Sequence, residues 1–270
     1  MPVSSGTNLS PPFVALMFGD LVGLPGLGAF LSALPALMLE HQPDFVVVNA
    51  ENASPDGLGL LESQLAELWA AGVDVITTGN HVWEKRELWP LLETEPRLLR
   101  PDNYPSSLPG RGWAVVTSRS GDAVAVLNLQ GRSRLATTDD PFVRAKELVE
   151  SVSQTAKLIL VDFHSEAGDE KESFGFWLDG LVTAVVGTHT HVATADERLL
   201  PAATAYISDL GMCGPDASVI GGDPAISVER ALTLIPLRSE ILQNSGTARG
   251  VVIRADRATG KALSIVRFER

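Results

Sequence analysis

Apolar residues fall into short unbroken runs separated by longer mixed segments. Phe13 to Phe18 is wholly apolar and stops at Gly19-Asp20. A short apolar run ended by a turn predicts a strand buried on both faces. Leu27 to His41 predicts a helix, with Pro35 inside it as the source of a kink. Asp44 to Asn49 is a second, β-branched run. Leu60 to Ala71, rich in Leu, Ala and Glu, predicts a helix closed by Gly72 as its C-cap. Asp74 to Thr78 predicts a third strand and Glu84 to Leu92 a third helix. Strands and helices alternating in this way predict a parallel sheet with right-handed crossovers.

The pattern then changes. Trp113 to Ser118 and Ala123 to Leu129 flank Ser-Arg-Ser-Gly-Asp and predict a hairpin, as do Val251 to Asp256 and Ala262 to Phe268 around Arg-Ala-Thr-Gly-Lys. Pro141 to Gln154 predicts a helix; Leu158 to Phe163 and Val182 to Val186 predict two more buried strands. No linker, low-complexity tract or internal repeat interrupts the chain. The expected organisation is a flexible leader over residues 1–12 and one domain over 13–270, with two layers of mixed sheet. The leader has no Lys or Arg, so it lacks the basic start of a secretory signal. No stretch reaches the roughly 18 to 20 apolar residues of a membrane span. The expectation is a cytoplasmic protein with no membrane partner.

Composition adds exclusions. The 270 residues carry 33 acidic and 21 basic side chains, a formal charge of −12. That disfavours long nucleic acid, whose binding rests on phosphate neutralisation by Lys and Arg. One Cys excludes a disulfide framework or a Cys-rich zinc site, so any metal must use His and oxygen ligands. Attention then falls on the five His.

Polar clusters follow the predicted strands: Gly19-Asp20, Asn49-Ala50-Glu51-Asn52, Thr78-Gly79-Asn80-His81, Asp162-Phe163-His164 and Gly187-Thr188-His189-Thr190-His191. Ligands of open α/β sheets bind outside the carboxyl ends of the strands. Carboxylate, amide oxygen and imidazole delivered there suit Mn, Fe, Zn or a similar divalent ion. A pair of ions about 3.5 to 4 Å apart suits phosphoryl transfer, with Glu51 or Asp20 as the bridging carboxylate. On extended chain His189 and His191 would face one side; if the backbone turns, their rings would straddle two metals. Taken singly, Asp20 fits a turn or cap, Glu51-Asn52 a solvated loop, Asn80 a helix N-cap and His164 a hydrogen-bonded core residue. One shared site accounts for all the clusters more simply than separate explanations do.

Other motifs carry less. The glycines from Gly19 to Gly28 lack a Gly-Lys-Ser/Thr and miss the dinucleotide spacing. Cys213 fits a buried small hydrophobe better than a nucleophile. Arg132 fits a solvated surface position better than a phosphate clamp.

The ordered clusters resemble the calcineurin-like metallophosphoesterase superfamily. From about Val14 onward the chain is similar to the bacterial YmdB family of metallophosphodiesterases. The matching phrases are Gly19-Asp-Leu-Val-Gly23, Val48-Asn-Ala-Glu-Asn52, Thr78-Gly-Asn-His-Val-Trp83, Leu127-Asn-Leu-Gln-Gly-Arg132, Asp162-Phe-His-Ser-Glu166 and Val186-Gly-Thr-His-Thr-His191. The resemblance implies a four-layered α/β/β/α sandwich, two mixed β-sheets flanked by helices. It implies that Asp20, Glu51, Asn52 and His191 bind one metal, and that Glu51 bridges to a second held by Asn80, His164 and His189. His81 would be the proton donor. The superfamily's usual Asp-x-His reads Asp20-Leu21-Val22 here, and its bridging Asp is Glu51; Asn52 fills the place of the lost His. This harder donor set favours iron or manganese, divalent or mixed-valence, over zinc, with zinc and magnesium staying open. The implied activity is hydrolysis of small phosphodiesters, such as 2',3'- or 3',5'-cyclic AMP, by a metal-bridging hydroxide. A phosphomonoesterase or nucleotidase, and a metal-containing regulatory protein with little turnover, stay open at this point, as does a homo-oligomer.

Overall fold

The computed structural model describes residues 11–270. The expected leader, apart from Pro11 and Pro12, lies outside the described residues. In chain order the elements are β1 (Phe13–Phe18), α1 (Gly23–His41), β2 (Phe45–Asn49), α2 (Glu62–Ala71), β3 (Val75–Thr77), α3 (Trp89–Thr94), β4 (Trp113–Thr117), β5 (Ala123–Gln130), α4 (Pro141–Val152) and β6 (Leu158–His164). There follow α5 (Gly168–Trp177), β7 (Ala184–Thr188), β8 (Arg198–Leu199), β9 (Ala205–Ile207), β10 (Gly214–Pro215), α6 (Pro224–Thr233), β11 (Gly246–Thr247), β12 (Arg249–Ala255) and β13 (Ala262–Glu269).

Two large mixed sheets result. The first has the order β13-β12-β1-β2-β3, with β1, β2 and β3 parallel and the β12–β13 hairpin antiparallel beside them. The second has the order β4-β5-β6-β7-β9-β8, with β5, β6, β7 and β9 parallel.

The period-2 alternation of a strand sorts each run onto two faces. From β1, Phe13, Ala15 and Met17 join Val124, Val126, Leu158 and Leu160 of the second sheet in a core between the sheets. Their neighbours Val14, Leu16 and Phe18 instead pack with Phe30, Leu34 and Leu37 of α1 and Leu65 and Leu68 of α2. On the far side, Ile159, Val161 and Phe163 of β6 pack with Leu148 and Val149 of α4 and Phe174 of α5. The layers are therefore α/β/β/α. Burial on both faces is why the strands read as continuous apolar runs.

Three local expectations are corrected. The third helix does not run from Glu84 to Leu92: a turn and a 3-10 turn over Arg86–Leu88 precede α3, which starts at Trp89 with Pro90 in its first turn. There the missing proline N–H forfeits no helical bond. The first helix starts at Gly23, before the expected Leu27. The helices α5 and α6 had no expected counterpart. Gly72 closes α2 with a left-handed φ of 93°.

The expectation of no span-like stretch is also corrected. By length and composition α1 is long and apolar enough to cross a membrane, with a mean hydropathy of 1.3 over 18 of its residues. Its Leu27, Phe30, Leu34 and Leu37 are buried on the first sheet.

Candidate metal centre

The carboxyl ends of five strands supply the polar clusters, and they come from both sheets. Asp20 follows β1, Glu51 and Asn52 follow β2, and Asn80 and His81 follow β3. From the second sheet, His164 ends β6, and His189 and His191 follow β7.

His164 is the hub. Its ring is fully buried. The Thr188 hydroxyl donates to Asp162 Oδ1 at 2.6 Å, so its oxygen can only accept from His164 Nδ1 at 2.9 Å. That fixes the proton on Nδ1 and turns Nε2 inward. Asp162 does not reach the centre; it stays behind it, bonded also to Asn49 and Thr77.

Glu51 Oε1, Asn80 Oδ1 and His189 Nδ1 each lie 3.0 Å from His164 Nε2. Among the described residues, buried Glu51 Oε1 has no hydrogen-bond partner. One proton on Nε2 can serve only one of these acceptors at a time. A single cation satisfies all of them: ligand atoms about 2.1 Å from an ion and at right angles to one another stand about 3.0 Å apart. Glu51, His164 and His189 thus form a donor cluster suited to a metal ion.

The electrostatics agree. Burial opposes charge on His164, but the Glu51 carboxylate, then Asp20 and Asp162, hold its pKa up at about 9. Burial also works against Glu51, and His164 and His81 overcome it, bringing the carboxyl down to about 2. Burial and the His164 charge push His189 down to about 3, leaving a neutral ring with a free lone pair. Burial, helped by neighbouring carboxylates, pushes Asp20 well above its ordinary range. An additional cation in the site would favour ionised Asp20.

The other residues converge on the same edge. Asp20 Oδ2 accepts from the His189 N–H at 3.0 Å, while the buried Oδ1 has no partner among the described residues. Asn52 donates through Nδ2 to the Gly57 carbonyl at 2.8 Å, which turns its oxygen toward His191 Nε2, 3.2 Å away. His191 Nδ1 donates to the Ile220 carbonyl at 3.2 Å. The Asn52 oxygen and the His191 lone pair then face each other as two acceptors. His81 is tied by its backbone N–H to Glu51 Oε2 at 3.0 Å.

The two readings of His189-Thr190-His191 are decided by the backbone. His189 has φ 99° and His191 φ 64°, so the chain turns and sends the rings to different partners. Thr190 points inward, its hydroxyl donating to Asp209 at 2.8 Å and its N–H at 3.2 Å. Asp209 is ion-paired at 2.6 Å with Lys171 of α5, and both are buried. Sequence reading missed this pair, since only the fold brings α5 under the histidine turn. The packing role of Gly79 was equally hidden: a Cβ there would overlap the His164 ring and the Glu51 carboxylate.

Other candidates fall away from the centre. The Cys213 thiol is fully buried, and burial pushes it up to about 12. Arg132 is half-exposed and pairs with Asp140 at 3.1 Å. His41 ends α1, 3.4 Å from Glu40. The glycine run has a packing role, because a Cβ at Gly19 would strike the Gly211 carbonyl and one at Gly26 the Cys213 carbonyl.

A family model described as YmdB-like protein matches residues 16–268. The 2',3'-cyclic-nucleotide 2'-phosphodiesterase of Bacillus subtilis strain 168 is 43% identical over 253 residues, covering 94% of this chain and 95% of that protein. Among solved structures, a novel phosphatase from Mycoplasma pneumoniae superposes with a TM-score of 0.89 at 33% identity, covering 96% of this chain and 93% of that one. A hypothetical protein from Thermus thermophilus superposes with a TM-score of 0.88 at 34% identity, covering 96% and 99%. Fold and relatives define an enzyme of the phosphodiesterase class. The chain belongs to the YmdB-like family.

Proposed function

We propose that residues 13–270 work as one unit, a phosphodiesterase that uses two metal ions to hydrolyse small cyclic phosphodiesters, 2',3'-cyclic nucleotides foremost. The observation that carries the metal requirement is the ring of acceptors, each 3.0 Å from His164 Nε2, around an imidazole whose other nitrogen already holds its proton. The substrate rests on the B. subtilis relative; 3',5'-cyclic AMP is a second candidate of the same chemistry.

Asp20, Glu51, Asn52 and His191 would hold one ion, and Glu51, Asn80, His164 and His189 the other. Oxygen donors outnumber imidazoles around the first, which favours iron or manganese. When bound, the metals would supply charge against the phosphoryl oxygens and an activated water as nucleophile. The Glu51 carboxylate, held ionised without metal, would repel a phosphate from the metal-free edge, so phosphate binding and metal loading are coupled. His81 donates a proton to the leaving oxygen. Its backbone bond to Glu51 anchors it at the rim, and its buried Nδ1 has no hydrogen-bond partner among the described residues, the Glu84 carboxylate being 3.6 Å away.

The test is His81→Ala. Metal content by elemental analysis should be unchanged while turnover of 2',3'-cyclic AMP falls about 10²- to 10⁴-fold. Unchanged turnover removes His81 from the reaction.

A further inference from the structure

We infer that Glu166 is a positioning residue that makes His189 present Nδ1, rather than Nε2, to the metal centre. Glu166 lies two residues past His164 in the turn from β6 to α5. Its Oε2 is 3.2 Å from His189 Nε2, while His189 Nδ1 is 3.0 Å from His164 Nε2. The ring thus bridges a carboxylate on its outer side and the donor cluster on its inner side. A carboxylate facing Nε2 favours a proton there and so the tautomer with its lone pair on Nδ1. It also holds the ring plane and strengthens the lone pair.

Two features make the contact more than a surface pair. His189 sits at φ 99°, a backbone conformation costly for a residue with a Cβ, so its placement depends on outside contacts. Those contacts come from opposite ends of the residue: Asp20 accepts from its backbone N–H, and the Glu166 carboxylate faces the far ring nitrogen at 3.2 Å. Further, one turn of chain supplies both His164 and Glu166, so the hub ligand and the constraint on its neighbour move together. The Glu166 side chain is 37% exposed, so its truncation opens no cavity in the core.

The inference rests on the two-ion reading, and one experiment separates the two. Mn²⁺ alone is titrated by calorimetry into metal-free wild type, Glu166→Ala and Glu166→Gln, with thermal melts of each protein before and after loading. The wild type should bind two ions. Glu166→Ala should bind one of them about 10- to 100-fold more weakly, with an unchanged metal-free melting temperature. Glu166→Gln, whose amide oxygen still accepts from Nε2–H, should recover part of the loss. Equal affinity of wild type and Glu166→Ala for both ions overturns the positioning role. So does a lowered metal-free melting temperature in both variants that accounts for the weaker binding. A wild type that takes up no Mn²⁺ overturns the two-ion reading itself, and the Glu166 role with it.

Discussion

Gly79 belongs to the centre as much as the proposed ligands do. Because a Cβ there would occupy the space where His164 and Glu51 meet, Gly79→Ala should lose bound metal, read by elemental analysis after loading. Full metal in that variant would mean that the two side chains can part without cost. His164 yields a second residue-level prediction. In the metal-free protein its pKa is about 9, so it carries a proton at pH 7.5 that metal ligation must displace. Loading should release at least one proton, and apparent affinity should rise roughly tenfold or more per pH unit until about pH 9. Calorimetry in buffers of different ionisation enthalpy measures that release; none at pH 7.5 would contradict it. At this scale the sequence was informative about residue types, since polar clusters at strand ends stand out against apolar runs. It was silent on direction. The left-handed turns at His189 and His191 carry Thr190 inward to the Asp209–Lys171 pair, which joins residues far apart in the chain.

Among the elements, β6 shows how one strand serves three purposes. Leu158 and Leu160 face the other sheet, Ile159 and Val161 face the helices, and His164 emerges at its end. Leu160→Ala should cost about 2 to 5 kcal/mol in urea unfolding, as a buried truncation that leaves a cavity. A loss below about 1 kcal/mol would mean that the two sheets can collapse into the space. Buried strands were legible because both faces demand apolar residues. The helices were less so. In α5, Gly-Asp-Glu-Lys-Glu-Ser-Phe-Gly-Phe-Trp contains two glycines and a weak apolar stripe, and tertiary packing of Phe174 overrides the poor propensity. For α6 a signal was present: Asp223 caps the helix through Ala225 and Ile226 N–H groups, and Pro224 occupies its first position. In the Glu84–Leu92 segment, periodicity suggested one helix where Pro90 allows only a late start.

For the whole molecule, the sequence pattern implied a parallel sheet, two layers of mixed sheet and strand-end chemistry, and the family resemblance added the flanking helix layers of the α/β/β/α sandwich. Periodicity cannot say which sheet a doubly buried strand joins, and the centre exists only because the ends of β1, β2 and β3 meet those of β6 and β7. The charge of −12 bears on function at this scale too. An acidic surface repels long polyanions, while cations held by Asp20 and Glu51 would make one edge receptive to a small phosphodiester. The most direct test is hydrolysis by metal-stripped and Mn²⁺-reloaded protein of 2',3'-cyclic AMP, 3',5'-cyclic AMP, bis-p-nitrophenyl phosphate and the p-nitrophenyl monoester. The account predicts turnover only after reloading, with 2',3'-cyclic AMP the best substrate and the diester preferred to the monoester. Equal turnover by the stripped protein, or preference for the monoester, would contradict it.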